Sequence, residues 1–177
     1  MIASLDVIGN PSQSWDNWKF LKSQNIETLP CFHIREKFEW LTRYKNETSY
    51  IAIGGLVPYT RQARIMNLFL SKYFGTLRDY KIHLYGIGNY NILKKYPCYS
   101  SDTTTWQQAR RFGSYTEAGK SRRASFSEIL KTKSNLPKDW KYFKDSADYR
   151  IKHGIKNLLK TEKEITEIWK MRKIVWT

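Results

Sequence analysis

The chain has 177 residues, and 31 Lys and Arg against 16 Asp and Glu give it a formal charge of +15. Hydrophobic residues make up 41% and aromatic residues 15%, which is enough to bury a core and argues against disorder. No apolar run approaches the roughly 20 residues that span a bilayer, and the amino terminus lacks the pattern of a signal peptide. We therefore expect a cytoplasmic protein, in the host cytoplasm if a virus encodes it, with no membrane partner.

Short apolar runs alternate with amphipathic stretches from residue 1 to residue 106, which predicts an α/β fold. The predicted strands cover residues 2–8, 28–34, 50–56, 81–87 and 98–102, and the predicted helices cover residues 11–24, 35–46, 60–74 and 89–96. Short connections favour right-handed crossovers and a parallel sheet, either doubly wound or curled into a barrel. Polar residues at the carboxyl ends of the strands favour the barrel, because those ends converge on one site.

After Trp106 the alternation stops, and the pattern predicts irregular or mixed structure up to residue 140. Residues 144–176 regain a helical pattern that fits one long helix or two short ones. We therefore divide the chain into a partial (β/α) barrel of about five parallel strands, residues 1–112, and a basic, mainly helical extension, residues 113–177.

The positive charge is concentrated in the second part of the chain. Residues 107–177 hold 18 of the 31 basic side chains and 8 of the 16 acidic ones, for a net charge of +10. Aromatic residues among these cations suit base stacking as well as phosphate contact, so nucleic acid is the first partner to expect. The simpler interpretation is that lysine keeps the protein soluble. The candidate nucleic-acid contacts are Arg110, Arg111, Lys120, Arg122 and Arg123.

The cysteine, histidine and glycine patterns predict neither a metal nor a cofactor. Cys31 and Cys98 stand alone, and no two histidines share metal-ligand spacing. The Gly86–Gly88 segment lacks the third glycine of a dinucleotide-binding turn, and Gly54–Gly55 lacks the Lys-Ser/Thr that follows in a P-loop. These glycines fit tight turns or a close approach of a flat ligand to the backbone.

Two carboxylates lie at predicted strand ends. Asp102 stands among hydroxyl residues, where it fits either a turn that caps the next helix or a nucleophile that attacks an anomeric carbon. Asp6 is the second carboxylate, and it fits either a helix cap or an acceptor for purine N–H groups. His33 ends the second predicted strand, where it fits a hydrogen-bonded histidine or a reader of a base edge.

Five segments, taken in order, resemble the later strands of the queuine/archaeosine tRNA-guanine transglycosylase superfamily. They are LDVIGN (5–10), LPCFHI (29–34), YIAIGGLVP (50–58), IHLYGIGNYNILKKYP (82–97) and CYSSDTTTW (98–106). The last segment is most similar to the branch that inserts 7-deazaguanine derivatives into DNA, often encoded by phages and mobile islands. The resemblance covers residues 2–112.

The resemblance implies base exchange in which Asp102 displaces a purine from C1′ and forms a covalent sugar intermediate. Asp6 would recognise the base edge, and His33 would take the place of the family's base-reading polar residue. Gly54 and Gly55 would supply backbone hydrogen bonds to the base, and Tyr85 and Gly86 would shape the pocket wall. The implied substrate-binding residues are therefore Asp6, His33, Gly54, Gly55, Tyr85 and Gly86.

The expected function is therefore a transglycosylase, or a part of one, that replaces guanine in DNA or tRNA with a 7-deazaguanine derivative. Five strands fall short of the eight of a closed barrel, so a second chain or a second copy would supply the missing strands. One alternative is a non-catalytic nucleic-acid-binding protein with a remnant barrel. Another is a nucleoside or glycoside hydrolase that uses Asp6 and Asp102.

Overall fold

The structure, a computed structural model, describes residues 2–116, 123–125, 128, 131, 142 and 146–176. The chain forms two compact units. The first consists of Met1–Ile87, Tyr96–Asp102 and Trp176–Thr177, and the second of Gly88–Lys95 and Thr103–Val175. The domain boundary between residues 112 and 113 stays a prediction.

The first unit contains short parallel strands. They are β1 Ile2–Ala3, β2 Thr28–Leu29, β3 Cys31–His33, β4 Tyr50–Gly54, β5 Lys81–Leu84 and β6 Ser100–Ser101. Strand β1 pairs with β2, and β3, β4, β5 and β6 form a sheet in that order. All these pairs are parallel. The predicted α/β class is confirmed, although the strands are shorter than their predicted runs.

Pro30 divides the second predicted strand into β2 and β3. A proline has no N–H to donate to a neighbouring strand, so it interrupts the ladder. Its carbonyl still accepts a hydrogen bond of 2.9 Å from the N–H of Ala52. The chain therefore passes from pairing with β1 to pairing with β4 at this residue.

The helices of the first unit lie close to their predicted positions. They are α1 Pro11–Ser23, α2 Phe38–Lys45 and α3 Ala63–Thr76, with a 3₁₀ turn at Val57–Tyr59. Helix α1 begins after Asn10, whose side chain accepts from the N–H of Gln13. Ser14 does not cap this helix, because it is buried and its hydroxyl accepts a hydrogen bond from the N–H of Val7.

The four-stranded sheet has one apolar face and one polar face, because side chains alternate along each strand. Five residues on the apolar face are almost completely buried: Phe32, Ile51, Ile53, Ile82 and Leu84. Helix α3 contacts this layer, since the ring of Tyr73 lies 5.4 Å from that of Phe32 and its hydroxyl donates to the carbonyl of Ile34. The core therefore lies on the helix side of the sheet.

The second unit contains α4 Tyr90–Lys95, α5 Thr105–Phe112, the antiparallel pair β7 Ser114–Thr116 and β8 Arg123–Ser125, and α6 Ala147–Met171. The helix α5 and the strands β7 and β8 are regular elements within the region where the sequence predicts irregular or mixed structure. Helix α6 is the one long helix that the carboxyl-terminal pattern allowed.

Helix α6 packs against α5 through Gly154. A Cβ atom at Gly154 would lie 3.4 Å from the Cα of Trp106, so the two backbones approach closely. The guanidinium of Arg150 donates to the carbonyls of Ala109 and Arg110, which lie in the last turn of α5, and so supplies hydrogen bonds to the carboxyl end of that helix. In the described part of the chain, no helix has the length and apolar character needed to cross a membrane.

Candidate functional site

Side chains alternate along each strand, so those that do not face the helices lie together on the polar face of the sheet. Parallel pairing places Cys31 beside Ala52, Ala52 beside His83, and His83 beside Ser100. We use the name polar face for these four residues together with the four that lie two residues further toward the carboxyl ends of the strands. The first four are Cys31, Ala52, His83 and Ser100, and the second four are His33, Gly54, Tyr85 and Asp102. A parallel sheet normally buries apolar residues on both faces, so this concentration of polar groups marks a candidate site.

Asp102 follows β6 and presents an accessible carboxylate. Its side chain is 53% exposed. Its Oδ1 accepts a hydrogen bond of 2.7 Å from the N–H of Gly86 and lies 3.5 Å from Nε2 of His83. The described residues give its Oδ2 no hydrogen bond. One oxygen is therefore held while the other is free of hydrogen bonds from the described residues, which is the arrangement a carboxylate nucleophile needs.

Gly86 can hold Asp102 only because it lacks a side chain. Its φ is +71°, in the left-handed region that glycine adopts without strain. A Cβ at this position would also overlap Cγ2 of Val57. Gly86 is predicted to form part of a pocket wall. In the structure its N–H also orients the carboxylate of Asp102.

His83 connects Asp102 to a chain of hydroxyl groups. Its Nδ1 lies 2.6 Å from Oγ of Ser100, which lies 2.6 Å from the hydroxyl of Tyr50. Burial lowers the pKa of His83, an effect that the charge of Asp102 partly opposes. The imidazole is thus neutral at pH 7, and the hydrogen bonds of Ser100 and Tyr50 fix its orientation.

Tyr85 packs against the same histidine. Its ring centroid lies 4.5 Å from that of His83, in an edge-to-face arrangement. Burial raises the pKa of Tyr85 to about 12, and the nearby charges of Asp6 and Asp102 act in the same direction. Tyr85 therefore keeps its phenolic proton near neutral pH.

Asp6 lies beyond β1, in the loop before α1, and it pairs with His33. Its Oδ2 lies 2.6 Å from Nε2 of His33. The thiol of Cys31 is buried beside this pair. Glu36 is also close, since its Oε2 accepts a hydrogen bond of 3.1 Å from the backbone N–H of His33. The site therefore holds two carboxylates, a thiol and an imidazole in one cluster.

Gly54 and Gly55 follow one another at the end of β4, beside this cluster. A Cβ on Gly54 would lie 2.7 Å from Sγ of Cys31 and 3.2 Å from Nε2 of His33. Gly55 has a φ of +75°, where a side chain would be strained. The two glycines let the backbone pass close to the side chains of β3.

A cavity of about 700 Å³ opens next to the cluster. Its lining includes His33, Glu36, Gly55, Trp40 and Tyr59. This volume is within the range of small-molecule sites. Of the predicted site residues it contains His33 and Gly55, whereas Asp102 does not belong to its lining.

The predicted nucleic-acid contacts are described only in part. Arg110 and Arg111 are exposed in the last turn of α5. Lys120 and Arg122 lie outside the described residues, and Arg123 is described only as the first residue of β8.

Sequence reasoning missed several members of the site. The role of Cys31 depends on its lying two residues before His33, which puts both side chains on one face of β3. Ser100 lies in β6 and has the same relation to Asp102, which directly follows that strand. The spacing of two was available in the sequence, but the register that joins the strands was not. No such spacing in the sequence indicates that Glu36 and Tyr50 belong to the site.

Comparison of the chain with protein-family models, curated proteins and solved structures finds no match.

Proposed function

We propose that the chain is a base-exchange transglycosylase, or one part of such an enzyme, that replaces guanine in DNA or tRNA with a 7-deazaguanine derivative. The observation that carries this proposal is the accessible carboxylate of Asp102, held at Oδ1 by the N–H of Gly86 while Oδ2 receives no hydrogen bond from the described residues. A carboxylate fixed in this way can attack a sugar carbon without the entropy cost of ordering it first.

In the proposed reaction, Oδ2 of Asp102 forms a bond to C1′ of the nucleotide as the glycosidic bond to guanine breaks. The electron pair of that bond leaves with the base, which takes a proton from water. The incoming base then loses its N9 proton to water, attacks C1′ and releases the carboxylate. The exchange is balanced without a metal or an energy-rich cofactor.

Asp6 supports base recognition because its carboxylate accepts hydrogen bonds from purine N–H groups. His33 engages Oδ2 of Asp6, so in this proposal the other oxygen, Oδ1, contacts the base. Gly54 and Gly55 would add backbone hydrogen bonds, and Tyr85 would form part of the pocket wall as a neutral aromatic residue.

The order of the strands favours the partial barrel over a doubly wound sheet. Strands β3, β4, β5 and β6 follow one another in space as they do in sequence, without the reversal that a doubly wound sheet contains. The barrel is a proposal, and so is the second chain, or second copy, that would complete it.

Incorporation of labelled guanine or of a labelled 7-deazaguanine precursor into duplex DNA and tRNA tests the proposal. The wild type should label one of the two nucleic acids, and Asp102→Asn should label neither. Asp79→Asn is the matched control, because Asp79 is exposed in a turn outside the site and its loss should leave incorporation unchanged. Folded wild-type protein that binds nucleic acid without incorporating label contradicts the enzymatic proposal for this chain alone.

A non-catalytic nucleic-acid-binding function is the second candidate. The exposed Arg110 and Arg111 and the net charge of +10 on residues 107–177 favour it. This candidate predicts binding that is indifferent to Asp102→Asn. A hydrolase predicts release of free base without incorporation.

A further inference from the structure

Three chemically different ligand groups converge at the polar face, to which two of them belong. A carboxylate oxygen of Asp6, Sγ of Cys31 and a ring nitrogen of His33 all lie within 4.8 Å of one another. The loop after β1 supplies the first group, and β3 supplies the other two from one face of the strand. The cluster is thus assembled by the pairing of separate segments.

The distances suit a small divalent cation. Zinc binds sulfur at about 2.3 Å and nitrogen or oxygen at about 2.0–2.2 Å, so the ligand atoms of a tetrahedral site lie about 3.3–3.6 Å apart. The three groups reach that spacing by small movements, and Asp6 and His33 would separate slightly from their present 2.6 Å. The mixture of nitrogen, sulfur and oxygen ligands favours zinc over magnesium or calcium, which prefer oxygen alone.

The absence of a side chain at Gly54 keeps the space between two of these ligands open. A Cβ there would approach both Sγ of Cys31 and Nε2 of His33. Glu36 adds support from the adjacent loop, since it accepts a hydrogen bond from the backbone N–H of His33. Such contacts behind a ligand orient it and increase metal affinity.

The local charge also favours a cation. The carboxylate of Asp6 belongs to the cluster, and that of Glu36 accepts a hydrogen bond from the backbone N–H of His33. Two carboxylates thus lie near a buried thiol in a chain whose total charge is +15. A bound divalent cation would offset their mutual repulsion and stabilise the thiolate.

We propose that Asp6, Cys31 and His33 form a zinc-binding site with water as the fourth ligand. Three protein ligands and one open position are the pattern of a zinc ion that remains accessible to small molecules. The proposal does not depend on transglycosylase activity, and the second oxygen of Asp6 remains for a base. It revises the sequence prediction that no metal is bound, because the pairing of strands brings together residues that are distant in the chain.

Titration of metal-free protein with Co²⁺, followed by displacement with Zn²⁺, tests this site. Cobalt bound to a thiolate gives a near-ultraviolet charge-transfer band. We expect one equivalent of Co²⁺ with that band, and full displacement by one equivalent of Zn²⁺. Cys31→Ser should lose the band, while Asp6→Asn and His33→Gln should each weaken Zn²⁺ binding at least tenfold.

Cys98→Ser is the matched control, because Cys98 is the second buried free cysteine and lies outside the cluster. This variant should keep the band and the stoichiometry. Circular dichroism checks that each variant is folded, and the two non-cysteine variants provide the test if Cys31→Ser does not fold. Wild type without the band, or Zn²⁺ affinity that is unchanged in both Asp6→Asn and His33→Gln, overturns the proposal.

Discussion

Replacement of Gly54 by alanine probes how closely β4 approaches the side chains of β3. The new methyl group would lie 2.7 Å from Sγ of Cys31, closer than Cβ atoms approach other heavy atoms in folded proteins. Relieving such an overlap in a packed interior costs about 1–3 kcal/mol. Gly54 does not have a positive φ, so alanine also gains about 0.4–1 kcal/mol through the lower entropy of the unfolded chain. We expect a net loss of about 1–2 kcal/mol in the free energy of unfolding.

Urea denaturation of a double-mutant cycle measures this overlap directly. Gly54→Ala, Cys31→Ala and the double variant should not be additive, because the Cys31→Ala background removes the sulfur that the new methyl group meets. Much of the penalty of Gly54→Ala should therefore disappear in that background. Gly75→Ala is the matched control, since Gly75 is exposed near the end of α3 with open space around it. That variant should gain about 0.5–1 kcal/mol.

Two results would contradict a close contact between β4 and Cys31. One is a Gly54→Ala variant as stable as the wild type. The other is a full penalty that persists when Cys31 is alanine, which would place the conflict elsewhere.

Three further predictions concern packing, pH and salt. Trp18→Ala should lower the free energy of unfolding in urea by about 3–5 kcal/mol, because Trp18 is 3% exposed and contacts two other aromatic rings; a loss below about 1 kcal/mol would contradict this packing. The folded state lowers the pKa of His83 from 6.5, so the unfolded chain takes up this proton first as the pH falls, and stability should decrease below about pH 6.5. Urea denaturation across this range should show a flatter pH dependence for His83→Gln, and an unchanged curve would speak against the shift. Arg110→Gln and Arg111→Gln should each reduce the salt slope of nucleic-acid affinity by about one if each side chain contacts a phosphate, and unchanged slopes would remove these residues from the interface.

The sequence predicts the elements of the first unit well because their patterns are local. Five apolar runs correspond to strands, and the amphipathic stretches between them correspond to helices. Local patterns do not reveal where a strand stops pairing, so the division at Pro30 was missed even though proline marks it. Helix α5 has a weak apolar pattern, because polar and basic residues together outnumber apolar ones in it, and it packs against α6.

The sequence predicts only those residues of the candidate site that lie at the ends of strands. Asp102 and Gly86 follow neighbouring strands, so their proximity agrees with the expectation that carboxyl ends converge. The pairing of Asp6 with His33 and the position of Cys31 depend on register and loop geometry. Those features arise from long-range pairing, which no local window of sequence contains.

The proposed reaction requires a covalent bond between Asp102 and a nucleotide sugar. The most direct measurement incubates the protein with end-labelled guanine-containing DNA or tRNA without an incoming base, and then separates denatured species by gel electrophoresis. We expect the wild type and Asp79→Asn to form a labelled protein–nucleic acid adduct that disappears when the incoming base is added. Asp102→Asn should form none. Absence of any adduct with either nucleic acid, or an equal adduct with Asp102→Asn, would contradict the claim.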